Sequence, residues 1–417
     1  LIAAAIVLAE KEPSLAVQTL KRAVDNIPYG LEVYAPEGAY PEGPGYWLYG
    51  TAYSCLTFAI MQSALGTDFG FGNSEGFLES GMYKLMMATP SGQAYNYADN
   101  RTAGMNLENQ QILLWFALQS EQSGYFDRER MISDLPLPVT AQDNGNRFSS
   151  AAFWWLADFV ERQDEGGAES LPRARVWQGD NPIGVVRGKN GFYLGFKGGH
   201  ASVNHGHADA GSFILQWRGV DWSLDPGNQS YDQVEQVMGN KLWDRDQESP
   251  RWTLLSKNNF GHTCLTVNDQ LHDVDGMATI QAFREAADTS YVLIEMSAVY
   301  GELLDFAQRT IRQRNDSTVI ITDEFETNSR TKKISWFLIS TTNMRQEGED
   351  IWLEKDGQQM KLSIESKVKP QIVIQSLDPP PLAYDIQIAG LKRLELIFPA
   401  SAFADGKGHI RVRMAGQ

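Results

Sequence analysis

The sequence predicts a two-domain α+β protein: an incomplete helical (α/α) toroid over residues 1–165, then an antiparallel β-sandwich over residues 166–417. Three observations predict it. The chain has 417 residues, more than one hydrophobic core organises. Its first part repeats apolar residues with helical periodicity, whereas its second part is a run of short alternating segments parted by turn residues. Between them DEGGAESLPRA (164–174) is polar and broken by Gly-Gly and Pro, the texture of a linker.

The helices are taken in order. LIAAAIVLAEKE begins with an apolar run of about nine residues that lacks an initiator Met and a basic flank. It fits a signal peptide poorly, is too short to span a bilayer, and reads as the end of a helix in a longer parent protein. Pro13-Ser14 opens SLAVQTLKRAVDNI, whose Leu15, Val17, Leu20, Ala23, Val24 and Ile27 lie mostly along one face. Helices follow at 46–66, 75–88, 106–120 and 149–163, several apolar on more than one face and so packed between neighbours. Long Gly- and Pro-rich loops, APEGAYPEGPG (35–45) and TPSGQAYNYADN (89–100), join paired helices as the loops lining a toroid cleft would.

The strands are predicted at 192–197, 212–217, 291–300, 318–325, 333–340, 360–366, 371–377, 393–399 and 409–415. Another is led by NNFGHTCLTVN. No fixed-period repeat interrupts the series.

Net charge is −16 and the pI is near 4.9, which argues against nucleic-acid binding and adsorption to anionic membranes. An acidic polymer remains compatible if Lys and Arg concentrate locally. The 11 Trp, 15 Tyr and 19 Phe suit a sugar cleft, although core packing accounts for most of them. Cys55 and Cys264 are far apart and imply no disulfide framework.

Six histidines are present, and His200, His205 and His207 crowd into GGHASVNHGHADAGSF. Asp225 lies in WSLDPGNQSY and His262 precedes LTVN. Imidazoles and a carboxylate at strand ends are suitable zinc ligands. His205 and His207, two apart, share one face if the segment is extended, and both could then reach one site. Hydrogen-bonded loop histidines without metal are the competing reading of the same spacing.

NHGHADAGSFILQWRGVDWSLDPGNQSYD (204–232) resembles the signature of heparinase II/III-type lyases, in which His-x-His-x-Asp-x-Gly-x-Phe opens the β domain. GFYLGFKGGH, FGHTCLTVN and the helical loop GAYPEGPGYWLYG (38–50) are also similar, in the same order along the chain. The resemblance implies that His205 is catalytic. It implies equally that His207, Asp225 and His262 hold a structural zinc ion. His200 has no assigned role, and His272 and His409 read as surface residues.

Such lyases cleave uronic-acid polysaccharides by β-elimination, which needs a neutralised carboxylate, a base for the C5 proton and an acid for O4. A tyrosine of the helical domain faces the catalytic histidine in this family; SGQAYNYADN offers Tyr97, slightly favoured, and Tyr95. A nearby cation would lower such a phenol's pKa. Tyr231, in the loop DPGNQSYD, is a candidate for contacting sugar or completing the acid–base set. The pattern departs at the neutralising group, since no His precedes residue 200. Glu42 occupies a family acidic position but repels a uronate unless protonated; Tyr40, Asn96 and Asn109 are the alternatives. Arg101, Lys197, Arg218, Lys241, Arg245, Arg251 and Lys257 are candidate local countercharges, each by default solvated.

The implied partner is therefore an acidic polysaccharide, and the implied location periplasmic or secreted. A zinc-dependent hydrolase would use the same ligands with an open coordination position, although no HExxH motif accompanies them. A non-catalytic glycan-binding protein on a lyase fold is the reading from another functional class.

Overall fold

The computed structural model describes residues 1–120, 122–127, 131, 148–162, 171–403 and 405–417. Most of the linker read at 164–174 lies outside the described residues. The chain divides into two compact units, Leu1–Ala88 with Ala103–Pro172, and Thr89–Thr102 with Arg173–Gln417. Residues 89–102, which the sequence groups with the helices, thus belong to the β-rich unit.

In the first unit the described helices are α1 (Ile2–Leu8), α2 (Pro13–Leu31), α3 (Pro44–Leu65), α4 (Ser80–Met86), α5 (Leu107–Ser120) and α6 (Ser149–Glu161). Prolines sit at the first position of α2 and α3, where no intrahelical N–H is lost. α3 ends at Gly66, which takes the left-handed conformation. Every residue of α5 from Asn109 to Leu118 is buried, which is why the segment shows no polar face. Phe77 stacks on Phe116 and meets Tyr34, Phe58 and Trp115 edge-on, giving this unit an aromatic centre.

The helix expected at 75–88 is shorter, because Gly76 has φ +75° and a Cβ there would lie 2.0 Å from the Tyr34 carbonyl oxygen. That close approach fixes the loop carrying Tyr40 and Glu42. The Lys84 Nζ donates to the Pro44 carbonyl beneath the same loop.

The second unit contains three antiparallel sheets among its described residues. The first runs β1 (Ala174–Trp177), β2 (Ile183–Arg187), β3 (Tyr193–Lys197), β4 (Phe213–Trp217) and β5 (Val220–Ser223) in sequence order. The four-stranded sheet is ordered β15 (Gln371–Ser376), β16 (Lys392–Pro399), β11 (Lys333–Ser340), β6 (Leu265–Val267). The eight-stranded sheet is ordered β12 (Asn343–Glu347), β13 (Asp350–Lys355), β14 (Gln358–Ile364), β17 (Lys407–Gly416), β10 (Thr318–Thr327), β9 (Leu304–Asn315), β8 (Thr289–Glu295), β7 (Thr279–Ala286).

Alternate residues of all three sheets meet in one core, among them Phe213, Trp222, Trp336, Leu396, Ile321 and Val412. The Leu224 N–H donates to the Ile339 carbonyl, joining the end of β5 to β11. Helix α7 (Tyr231–Met238) follows β5, so Tyr231 starts a helix where the sequence suggested a loop.

Arg309 on β9 faces Asp323 on β10, and both side chains are buried. Its Nε and Nη2 donate to the carboxylate, while Nη1 donates to the carbonyls of Gly211 and Thr263. The guanidinium therefore clamps the two segments that carry His207 and His262. Removing one partner strands a buried charge. Arg309→Met is expected to lower stability by about 3–5 kcal/mol, read as a shifted urea transition; a change below about 1 kcal/mol would mean the clamp is dispensable.

Candidate functional site

The histidine segment is not extended. Residues 201–212 form successive turns; His205 adopts φ +57°, and a Cβ on Gly206 would lie 2.4 Å from the Ala201 carbonyl oxygen. The turn sends the two side chains into different surroundings, so the shared face expected from their spacing does not form. His207 is buried, whereas His205 is half-buried with Trp243 edge-on at 5.9 Å. Trp243 in turn meets the ring of Tyr231 at 4.8 Å.

His207, Asp225 and His262 converge, each offering a ligand atom within 4.8 Å of the others. Two observations fit them to a cation. First, each imidazole uses Nε2 elsewhere: His207 Nε2 lies 2.9 Å from Asp99 Oδ1, and His262 Nε2 lies 3.1 Å from the Ser256 carbonyl oxygen. Second, both Nδ1 atoms are buried without a hydrogen-bond partner. His262 Nδ1 is 3.2 Å from Asp225 Oδ2 but out of hydrogen-bond alignment. Asp225 Oδ1 is occupied by the Gly227 N–H, which leaves Oδ2 on the side of the imidazoles. Carbonyl or carboxylate acceptors on Nε2, with Nδ1 lone pairs converging beside a carboxylate, are how histidines are held in metal sites.

Burial, followed by the Lys257 ammonium, holds the His207 pKa well below its ordinary value, so its ring is neutral. Burial acts against ionised Asp225 as well, yet His262 and the Gly227 N–H outweigh it and keep the carboxyl below its usual range.

Asp99 lies behind His207 and is fully enclosed. Its Oδ1 meets Lys257 Nζ and His207 Nε2; its Oδ2 accepts from the Tyr231 hydroxyl at 3.0 Å and Arg251 Nη2 at 3.2 Å. Burial opposes its ionisation, but Lys257, Arg251 and His207 together bring its pKa well below normal. Three of the countercharges expected at the surface are in fact internal. Lys197 pairs with Asp209, and Arg251 and Lys257 pair with Asp99. Arg101, Arg218, Lys241 and Arg245 are exposed. Sequence reading overlooked Asp99, although it stands two residues beyond Tyr97 with no other acidic residue in its loop.

Tyr95 and Tyr97 are both buried, with rings 5.5 Å apart edge to face. Gly195 on β3 makes room, since a Cβ there would approach the Tyr95 ring to 2.6 Å. The Tyr95 hydroxyl has no hydrogen-bond partner among the described residues. Burial first, then the Asp225 and Asp209 carboxylates, push its pKa well above the phenol value, the reverse of the lowering expected. Asn96 donates to the Asp225 carbonyl, and Asn100 accepts from the Asn228 N–H through its own carbonyl. Both contacts tie the tyrosine loop to the segment after β5. A cavity of about 450 Å³ adjoins this tie and is lined by Asn96, Arg101, Gln216, Asp221, Asp225 and Gln387, among others.

Tyr40 and Glu42 belong to the helical unit. Burial and the Glu42 carboxylate push the Tyr40 phenol up to about 12. Asn109 is buried in α5 and bonded to Asn106. His200 Nδ1 meets Ser202 Oγ at 2.8 Å, and His409 is exposed.

His272, expected at the surface, is buried between Tyr300 and the Leu265 carbonyl, which its Nε2 reaches at 2.8 Å.

The β-rich unit matches the family model described as heparinase II/III-like, C-terminal, over residues 182–391, and the chain belongs to that family. No curated protein matches the chain. Among solved structures it is similar to the heparan sulfate lyase HepC from Pedobacter heparinus, with a TM-score of 0.68 at 11% identity. That alignment covers 100% of this chain and 58% of HepC. It is similar also to the Heparinase III-BT4657 gene product, with a TM-score of 0.65 at 13% identity, covering 100% of this chain and 58% of that one. The chain thus spans little more than half the length of these relatives, and what they share with it at such identity is the fold.

Burial pulls the His272 pKa down to about 4 from its ordinary 6.5. A histidine depressed in the folded state contributes stability above the unfolded value and loses it as pH falls through the folded one. Between pH 6.5 and 4 it should therefore remove about 3 kcal/mol. His272→Gln is expected to flatten the acid side of the stability profile measured by urea titration at several pH values; an unchanged slope would refute this.

Proposed function

We propose that the chain is the lyase portion of a polysaccharide lyase that cleaves a uronic-acid-containing polymer, glycosaminoglycan- or alginate-like, by β-elimination. The observation that carries the reading is the division of labour within the His-x-His segment. One turn buries His207 with Asp225 and His262, and leaves His205 half-exposed beside Trp243 and Tyr231. A reactive imidazole at the surface of a rigid polar block is what removal of a proton from a polymer requires.

His205 and Tyr97 form the acid–base pair in this reading, with Tyr95 packing behind Tyr97. His205 takes the C5 proton as general base. Tyr97 delivers a proton to the departing O4. Tyr231 and Arg101 contact the sugar and its carboxylate. Asn96 lines the adjoining cavity. His207, Asp225 and His262 would hold a zinc ion, which would supply fixed positive charge and brace the segment bearing His205. The helical unit is an arc of an incomplete toroid and the β-rich unit a sandwich. A polymer substrate goes with a periplasmic or secreted location; among the described residues no helix is long and apolar enough to cross a membrane.

A glycan-binding protein without turnover is the second reading, favoured by the complete burial of Tyr97. Ultraviolet absorbance of the unsaturated uronate product separates the two. Incubated with a panel of uronate polymers, the wild type should produce the signal on at least one. His205→Ala should reduce its rate by about 10²–10⁴-fold, and Tyr97→Phe by about 10²-fold or more. Binding to a polymer without absorbance gain would favour the second reading. Neither binding nor turnover, with zinc retained, would shift the choice to a zinc hydrolase.

A further inference from the structure

We infer that Asp99 is a positioning residue that couples the tyrosine loop 89–102 to the cation site, an inference resting on the reading of His207, Asp225 and His262 as ligands. Three contacts carry it. The Asp99 carboxylate accepts from His207 Nε2, which puts the ring proton on that nitrogen and leaves Nδ1 a lone pair. Lys257 Nζ also lies 3.1 Å from His207 Nε2 and donates to Asp99 and to Asn228 Oδ1 at 2.6 Å, and the shorter contact of 2.9 Å to Asp99 Oδ1 assigns the ring proton. The Asp99 N–H donates to the His205 carbonyl at 3.0 Å, so the loop and the histidine segment share a backbone bond next to the proposed base. Through Oδ2 the same carboxylate fixes the Tyr231 hydroxyl.

One residue thus sets the tautomer of a ligand and the orientation of Tyr231 through its carboxylate, and the seat of His205 through its backbone N–H. Lys257 and Arg251 pair with the same carboxylate and hold it in place. Occupation of the cation site, by fixing His207, should in return order the backbone around Asp99.

The test compares wild type with Asp99→Asn, an isostere that still accepts a hydrogen bond but carries no charge. Zinc affinity is read by competition with a chromogenic chelator. The visible absorption bands of the cobalt(II)-substituted protein are read alongside, because destabilisation alone does not move them. Expected are a loss of zinc affinity of about 10–100-fold and altered cobalt bands. Wild-type affinity with unchanged bands would overturn the role of Asp99. Absence of zinc and cobalt binding in wild type would overturn the ligand reading itself, and the inference with it. Should Asp99→Asn fail to fold, hydrogen exchange of the wild type decides. Amides of residues 96–101 are expected to exchange more slowly with zinc than without it, and equal exchange would overturn the coupling.

Discussion

A carboxylate stays ionised inside a protein only when enough donors replace the water it has lost, and Asp99 meets that condition with donors drawn from three separate stretches of chain. His207 comes from the turn after β3, Tyr231 from the first position of α7, and Arg251 and Lys257 from the irregular segment leading to β6. Asp99 itself arrives on the loop 89–102. Of these donors only Tyr231 stands in an α-helix, and none lies on a strand. The ion cluster supplies what sheet hydrogen bonds cannot. Arg309 performs the same service from within the eight-stranded sheet, gripping the carbonyls of Gly211 and Thr263. The segments that carry His207 and His262 are thus each held by buried charge.

This arrangement explains why the fold was more legible in the sequence than the site. KISWFLIS forms a strand over its full predicted length, and the antiparallel alternation elsewhere was visible because one face of each strand is apolar. The strand Leu304–Asn315 was not read, since its inward positions include Arg309 and Gln313 and its polar residues mask the period. The hairpin Asn343–Lys355 was missed because its first strand is largely exposed and polar.

For the site, residue types offered His205, His207, Asp225 and His262 together, and the family resemblance selected His207, Asp225 and His262, whose candidate ligand atoms lie within 4.8 Å of one another. What local pattern could not show was the burial of Lys257, Arg251 and Lys197. Whether a lysine is solvated or internal depends on a carboxylate that is 158 positions away for Lys257 and 12 for Lys197. His205 and His207 misled for a local reason: a left-handed residue followed by a sterically confined glycine breaks the two-residue periodicity on which the shared face depended. His272 misled because nothing in LHDVD announces that Tyr300 will cover it.

The chemistry proposed follows from the separation of rigid and accessible groups. His207, Asp225, His262, Asp99 and Arg309 are buried, whereas His205 is half-buried. Such a division suits general acid–base catalysis, in which a modest displacement of the base is costly. In the proposed reaction specificity would lie away from the triad, with the aromatic pair Tyr231 and Trp243 and the exposed Arg101.

The central claim is that His207, Asp225 and His262 form a cation site on which the rest is assembled. X-ray absorption at the zinc edge of the purified protein, combined with its metal content, tests it most directly. The account predicts one zinc per chain with two imidazole nitrogens and carboxylate oxygen in the first coordination sphere, lost in His262→Ala. A protein that folds and remains free of metal in zinc-containing buffer, or zinc bound with sulfur ligation, would contradict it.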